Sequence, residues 1–229
     1  TIYIATGDKD ADNTYSVGVY KSIDGGLTWS PTGTMGGSNP SSAGDIIIHP
    51  TNNQILWCAT NNGIYKSTNA GTSWTQVQTG NFSQGNIRLK PGDPSTVYAV
   101  STNRFYRSTN SGDSFTLVTS GLPINSGRLL LDVTPANANY VYVLSHSNSI
   151  STNNGFQGLY RSINSGDTFV KLNHGNKNYF GYSSLADDDR GQAPRDMDIA
   201  VNPNDANDVH IAGILSWRST NGGQNFSIT

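Results

Sequence analysis

Three groups of residues have the types and spacing to do chemistry. In "GDKDADNTYSVG" (7–18), Asp8, Asp10 and Asp12 alternate, the D-x-D-x-D arrangement that presents successive carboxylates to a calcium ion. Asn13 stands where an EF-type loop carries Gly, and Val19 where it carries Glu, so a calcium site competes with a solvated acidic loop. A second group lies in "NHGNKNYFGYSSLADDDRGQAPRD" (173–196), where Tyr179, Phe180 and Tyr182 precede Asp187, Asp188, Asp189 and Arg190. Aromatic rings beside carboxylates suit a sugar: the rings stack on apolar sugar faces while the carboxylates accept from hydroxyls. The competing reading packs these rings against a neighbouring element. The third group is "KSIDGGLTW" (21–29), with Ser22, Asp24, Gly26 and Trp29 in eight positions.

The third group recurs. "KSTNAGTSW" (66–74), "RSTNSGDSF" (107–115), "RSINSGDTF" (161–169) and "RSTNGGQNF" (218–226) repeat it, with serines 45, 41, 54 and 57 residues apart. In the other four copies Asn69, Asn110, Asn164 and Asn221 replace Asp24. Asn keeps an oxygen acceptor but cannot act as a general acid or base, so the box is a turn. Its Asp or Asn is expected to accept backbone amides two or three residues on. Gly26, Gly71, Gly112, Gly166 and Gly223 are expected to take positive φ, and Trp29, Trp74, Phe115, Phe169 and Phe226 to pack between sheets. The serines Ser22, Ser67, Ser108, Ser162 and Ser219 complete the motif.

A second landmark precedes each of the last four boxes: "DIIIHPTNNQILW", "NIRLKPGDPSTVY", "LLDVTPANANYVY" and "DIAVNPNDANDVH". Each reads as an alternating strand, a Pro/Asn/Asp turn and a second strand. A third strand leads into the box and a fourth leaves it. The fold class is therefore all-β, a β-propeller of four-stranded antiparallel blades at 1–33, 44–79, 86–119, 128–172 and 196–229, the first lacking a strand. Because a ring must close to protect its edges, this count implies a segment of a larger ring of seven or more blades within a longer chain.

The box resembles the BNR or Asp-box repeat, S-x-D-x-G-x-x-W, of sialidases, xyloglucanase-type glycosidases and sortilin-like receptors. With "IYIATGD" and "DIIIHPTN", the chain most resembles BNR-like propellers of large secreted Bacteroidetes proteins, which commonly precede a C-terminal sorting domain. The resemblance implies a propeller outside the cell or at its surface, and it leaves function open. A sialidase-type site needs a Tyr–Glu pair and an arginine triad. Every one of the 16 acidic residues here is Asp, and no F-R-I-P motif is present. A xyloglucanase-like hydrolase uses two Asp residues across a cleft. Asp45 and Asp198, each five residues before a landmark proline, are the catalytic candidates, with any such site completed by further blades. A sortilin-like domain would bind peptide.

Composition excludes other classes. Net charge is −2, which gives no electrostatic case for nucleic acid, and no apolar run is long enough to enter a membrane as a helix. The single cysteine, Cys58, lies in "ILWCAT" and reads as a core residue. Arg88 and Asp132 are expected to form an ion pair between adjacent first strands. Length varies at 7–18, 145–157 and 173–196, all on the face opposite the boxes, where His146 reads as a bystander. Long loops on a rigid scaffold carry binding. The expectation is a recognition module or scaffold taking polysaccharide or protein on the long-loop face, with enzyme status left to blades outside this segment and calcium as its one candidate ion.

Overall fold

The computed structural model describes residues 1–7, 14–147 and 155–229. Among them every regular element is a strand. One three-stranded and four four-stranded sheets follow one another along the chain, matching the blades expected. The first sheet comprises β1 (Ile2–Ala5), β2 (Val19–Ser22) and β3 (Ser30–Pro31); the second comprises β4 (Ala43–Ile48), β5 (Leu56–Thr60), β6 (Gly63–Ser67) and β7 (Thr75–Thr79). The third runs from β8 (Ile87–Lys90) through β9 (Asp93–Val100) and β10 (Phe105–Ser108) to β11 (Thr116–Val118). The fourth holds β12 (Arg128–Val133), β13 (Val141–His146), β14 (Phe156–Ser162) and β15 (Val170–Lys171). The fifth holds β16 (Asp198–Val201), β17 (Val209–Ala212), β18 (Ser216–Ser219) and β19 (Ser227–Ile228). The chain forms two compact units. One comprises Thr1–Leu89, Pro94–Thr102 and Tyr106–Thr116; the other comprises Lys90–Asp93, Asn103–Phe105 and Leu117–Thr229.

Within the first unit, β5 explains why middle strands read as unbroken apolar runs. All five of its residues are buried. Leu56 and Cys58 join a core with Val19, Met35 and Trp74, while Trp57 and Ala59 point into a separate core with Phe82, Ile87 and Val97. Period-two alternation is intact, but both faces are covered, so hydrophobic and polar positions do not alternate. β7 is mostly exposed and correspondingly polar. Cys58 is fully buried, and desolvation drives its thiol far above the ordinary range, which removes it as a nucleophile.

The five boxes share one hydrogen-bond plan. Ser22 Oγ donates to Asp24 Oδ1 (2.8 Å) and accepts the Gly26 amide (2.8 Å). Ser67, Ser108, Ser162 and Ser219 each accept from the amides of Gly71, Gly112, Gly166 and Gly223 at 2.9 Å. The Asp or Asn oxygen receives the amide four residues on, from Thr28, Ser73, Ser114, Thr168 and Asn225. This corrects the expected span of two or three residues: the serine takes the inner amide, so the carboxamide closes a wider ring. Two consecutive residues, not one, have positive φ, as at Ala70 (56°) and Gly71 (83°). Thr28 Oγ1 donates to Asp24 Oδ2 (2.6 Å), whereas Ser73 Oγ accepts from Asn69 Nδ2 (2.8 Å). A hydroxyl works in either direction, which is why Asp and Asn interchange here.

The box aromatics divide. Trp74 and Phe169 are buried, whereas Trp29 is 36% exposed and ties its indole N–H to Gly26 O at 3.1 Å. Two of the residues that precede a box serine reach forward. Lys66 Nζ donates to Ser111 O and Asp113 Oδ1 of the next box, both at 2.7 Å. In the second unit Arg161 Nη1 approaches Gly222 O at 3.4 Å.

Ser67 is 1% exposed, so removing its hydroxyl leaves the buried Gly71 amide without an acceptor. Ser67→Ala should destabilise the fold by about 1–3 kcal/mol, and Asn69→Asp should change it by less than about 0.5 kcal/mol; urea denaturation of both variants checks the pair.

Candidate functional site

The long insertion between β15 and β16 folds around one buried amide. Asn178 Oδ1 accepts from the amides of Phe156 (2.9 Å) and Phe180 (3.2 Å), and its Nδ2 donates to the carbonyls of Asp188 (3.1 Å) and Arg190 (2.9 Å). Asp188 Oδ2 accepts the amides of Tyr182 and Ser183. Lys177 Nζ closes the segment on Leu185 O at 2.7 Å. A segment without regular structure thus satisfies its inner polar groups through two side chains.

This scaffolding separates the candidate binding residues. Tyr179 and Phe180 lie in the core with Leu144, Ile211 and Trp217, and Trp217 Nε1 donates to Tyr179 O at 2.9 Å. The expected three-ring surface is therefore corrected. Two rings sit in the apolar core under the insertion because Asn178 turns the chain inward there. Tyr182 remains 55% exposed, its hydroxyl held by Gln192 Nε2 at 3.1 Å. Asp187, Asp189 and Arg190 are exposed, with Asp189 and Arg190 3.8 Å apart.

Beside the insertion lies a cavity of about 440 Å³ whose wall includes Phe156, Gln157, Lys171, Asn176, Lys177 and Asp189. Only Asp189 among these was foreseen. The start of β14 supplies Phe156 and Gln157, and β15 supplies Lys171. Phe156 stands edge-on to Tyr179 and Phe180, at 5.0 and 5.6 Å, so the core rings fix the partly buried ring that reaches the cavity. Ammonium groups, amides, a carboxylate and an aromatic edge converge on a volume suited to a small ligand.

The first-strand carboxylates do structural work. Asp45 Oδ2 accepts from Arg88 Nη1 (2.7 Å) and the Ile87 amide (3.2 Å), and its Oδ1 from Ile46 (2.9 Å). Arg88 thus pairs with Asp45. Asp132 Oδ2 accepts the Val201 amide at 2.8 Å. Asp198 is exposed and accepts the Ile199 amide at 2.8 Å. Asp8, Asp10 and Asp12 lie outside the described residues, as does most of the 145–157 loop.

His146, which read as a bystander, is 2% exposed. Burial lowers its pKa, and the charge of Arg128, its partner across β12 and β13, lowers it further. Burial also lowers the pKa of His174, whose Nε2–H donates to Gly223 O at 2.7 Å.

The family model described as Sortilin-Vps10, "Sortilin, neurotensin receptor 3", matches residues 62–222. The chain belongs to this family. This Sortilin-Vps10 chain is also 36% identical over 86 residues to the xyloglucanase Xgh74A of Acetivibrio thermocellus, covering 34% of the chain and 10% of the relative. A Niastella koreensis GH74 enzyme shares its fold with a TM-score of 0.66 at 21% identity, over 99% of this chain and 36% of that one. The extracellular domain of a putative hybrid two-component system from B. thetaiotaomicron gives 0.60 at 17% identity, over 98% and 27%. The fold is that of a β-propeller. The chain spans little more than a third, at most, of the length of these proteins.

Both histidines are depressed in the folded state, so the unfolded chain binds more protons once pH falls below about 6.5. Their stabilising contribution is complete above that value and is lost as pH falls through the lower folded pKa. Tm should drop between about pH 7 and pH 5, and His174→Gln, which keeps a donor for Gly223 O, should make the drop shallower; calorimetry across that range reads both.

Proposed function

We propose that this chain is a recognition module of a secreted or surface-exposed protein, and that it binds glycan in the cavity walled by Phe156, Lys171, Lys177 and Asp189. The observation that carries this reading is the convergence of donors, acceptors and an aromatic edge on one cavity of about 440 Å³. A sugar offers hydroxyls to both amides and charges, and an apolar face to a ring. Exposed Tyr182 extends the aromatic surface along the same insertion. The extracellular setting of the similar B. thetaiotaomicron domain supports placement outside the cell, and the likeness to a xyloglucanase supports a plant-type polysaccharide as the first ligand to try.

Catalysis is the second reading, favoured by that same xyloglucanase likeness. It would fall to Asp45 and Asp198. The geometry weighs against Asp45 as a proton donor, since both of its oxygens already accept hydrogen bonds from Arg88 and backbone amides. Hydrolysis of xyloglucan that disappears in Asp45→Asn and Asp198→Asn, with Tm unchanged, would establish the catalytic reading.

For the binding reading, titration calorimetry with xyloglucan oligosaccharides should give saturable binding that weakens about tenfold in Lys171→Ala and in Asp189→Ala, the loss of one hydrogen bond to a charged group. Equal affinity in both variants would remove this cavity as the site. Saturation by a peptide and not by any oligosaccharide would favour a receptor of the sortilin kind.

A further inference from the structure

The box of the second sheet packs on the first sheet. Trp74 lies in a core with Val19 and Met35, and its Nε1 donates to Thr32 Oγ1 at 3.3 Å. The carbonyl three residues after a box serine is covered in the same way. Ala70 O accepts from the Tyr3 hydroxyl (3.1 Å), Ser111 O from Lys66 Nζ (2.7 Å) and Gly222 O from Arg161 Nη1 (3.4 Å), each donor lying on the preceding sheet.

The first box presents the corresponding surface to water. Ile2, Ile23 and Leu27 are 42%, 79% and 85% exposed. A Cβ on Gly26 would stand 3.8 Å from Ile2 Cδ1 and 3.7 Å from Trp29 Cζ2, so these two side chains flank the turn together. A Cβ on Gly25, three residues after Ser22, would meet no atom within 4 Å, whereas one on Gly222 would stand 2.4 Å from Arg161 Nη1. The patch sits where Ile2 pairs with Ser22, at the end of the sheet opposite the Ala5–Val19 pair from which the 7–18 loop departs. Large apolar groups gathered on a surface mark a place where another surface binds.

The fifth sheet carries the complement. Arg218 stands directly before a box serine, as Lys66 and Arg161 do, and Thr229 stands ten residues after one, as Thr32 does. Arg218 is 48% exposed. Its Nε and Nη2 are held on Asp208 at 2.8 and 3.0 Å, which fixes the guanidinium. Exposed Ala200 lies in register with His210, and His210 with Arg218, so all three share one face. The Thr229 hydroxyl donates to Ser216 O at 3.1 Å and keeps lone pairs with which to accept.

We propose that the patch on the first sheet docks the fifth sheet of a second copy of this chain. Arg218 of the second copy reaches Gly25 O, its Thr229 accepts the Trp29 indole N–H in exchange for Gly26 O, and its Ala200 face covers Ile2. Every bond of this contact repeats one that the fold already makes between its own sheets, and the chain itself supplies both faces. Because the faces differ, the contact is heterologous.

Sedimentation velocity from roughly 1 μM to 1 mM, the range of a modest interface, should show mass rising with concentration. Trp57, Trp74 and Trp217 are buried, so emission should shift to the blue through Trp29 as copies associate, and Trp29→Phe should lack that shift. Ile2→Asp disables one face and Ala200→Glu the other. Each alone should stay monomeric where the parent associates, with Tm kept, and the two mixed should pair one to one because each supplies the face the other lacks. Arg218→Ala should weaken association about tenfold, the loss of one hydrogen bond from a charged group, and Arg218→Lys should retain it. A parent that is monomeric throughout overturns the proposal. So does a mixture of the two variants that fails to pair, or an Ala200→Glu variant that associates as the parent does, which would set the apolar patch against its own like.

Discussion

The amide of the box glycine has nowhere to go but the serine. It is buried in a turn whose two central residues both have positive φ, a geometry that turns it away from any strand ladder. The serine hydroxyl lies at the end of the third strand, is nearly inaccessible to water, and accepts that amide at 2.8–2.9 Å in all five copies. The placement of the fourth strand follows from this bond, because the turn it closes sets where the chain re-enters the sheet. The neighbouring sheet depends on it too. A Cβ on Gly112 would stand 2.2 Å from Trp57 Nε1, so the turn is packed directly against the preceding sheet's core ring.

Such rigidity on the box side leaves variation to the other side. The insertion between β15 and β16 and the loops around β4, β5 and β7 are irregular, yet each is organised by side-chain amides: Asn178 in one unit, Asn61 and Asn81 in the other. An asparagine in these loops replaces the sheet ladder as a source of backbone partners. The same device that stabilises a loop therefore also shapes the cavity beside it.

Much of this was readable from residues alone. Asn at four of the five Asp positions excludes proton chemistry in the box, and the spacing of serines and prolines marks the strands. What was not readable depends on seams and interiors. Thr28 and Ser73 look like ordinary polar residues until their hydroxyls are seen bonded to the box Asp or Asn. Lys66 carries no mark that it reaches the next box and not its own. The insertion has no periodicity, so nothing in "NKNYFGYSS" says that Tyr179 and Phe180 turn inward while Tyr182 stays out. Phe156 read as the end of the 145–157 loop and Lys171 as part of a scaffold strand, and both line the cavity beside the insertion.

The forward reach of Lys66 and Arg161 gives two of the seams a direction. At each of these two, a cationic side chain of one sheet meets a turn carbonyl of the next, so the flanks that meet are complementary and not identical. A gene segment encoding one such sheet therefore carries both halves of the joint. Duplicated in tandem, it would meet its neighbours with the same chemistry on either side, and a lineage could lengthen or shorten the array by whole units without inventing a new interface. Spacings of 45, 41, 54 and 57 residues around an unchanged box fit a history in which the joints were inherited and only the loops diverged.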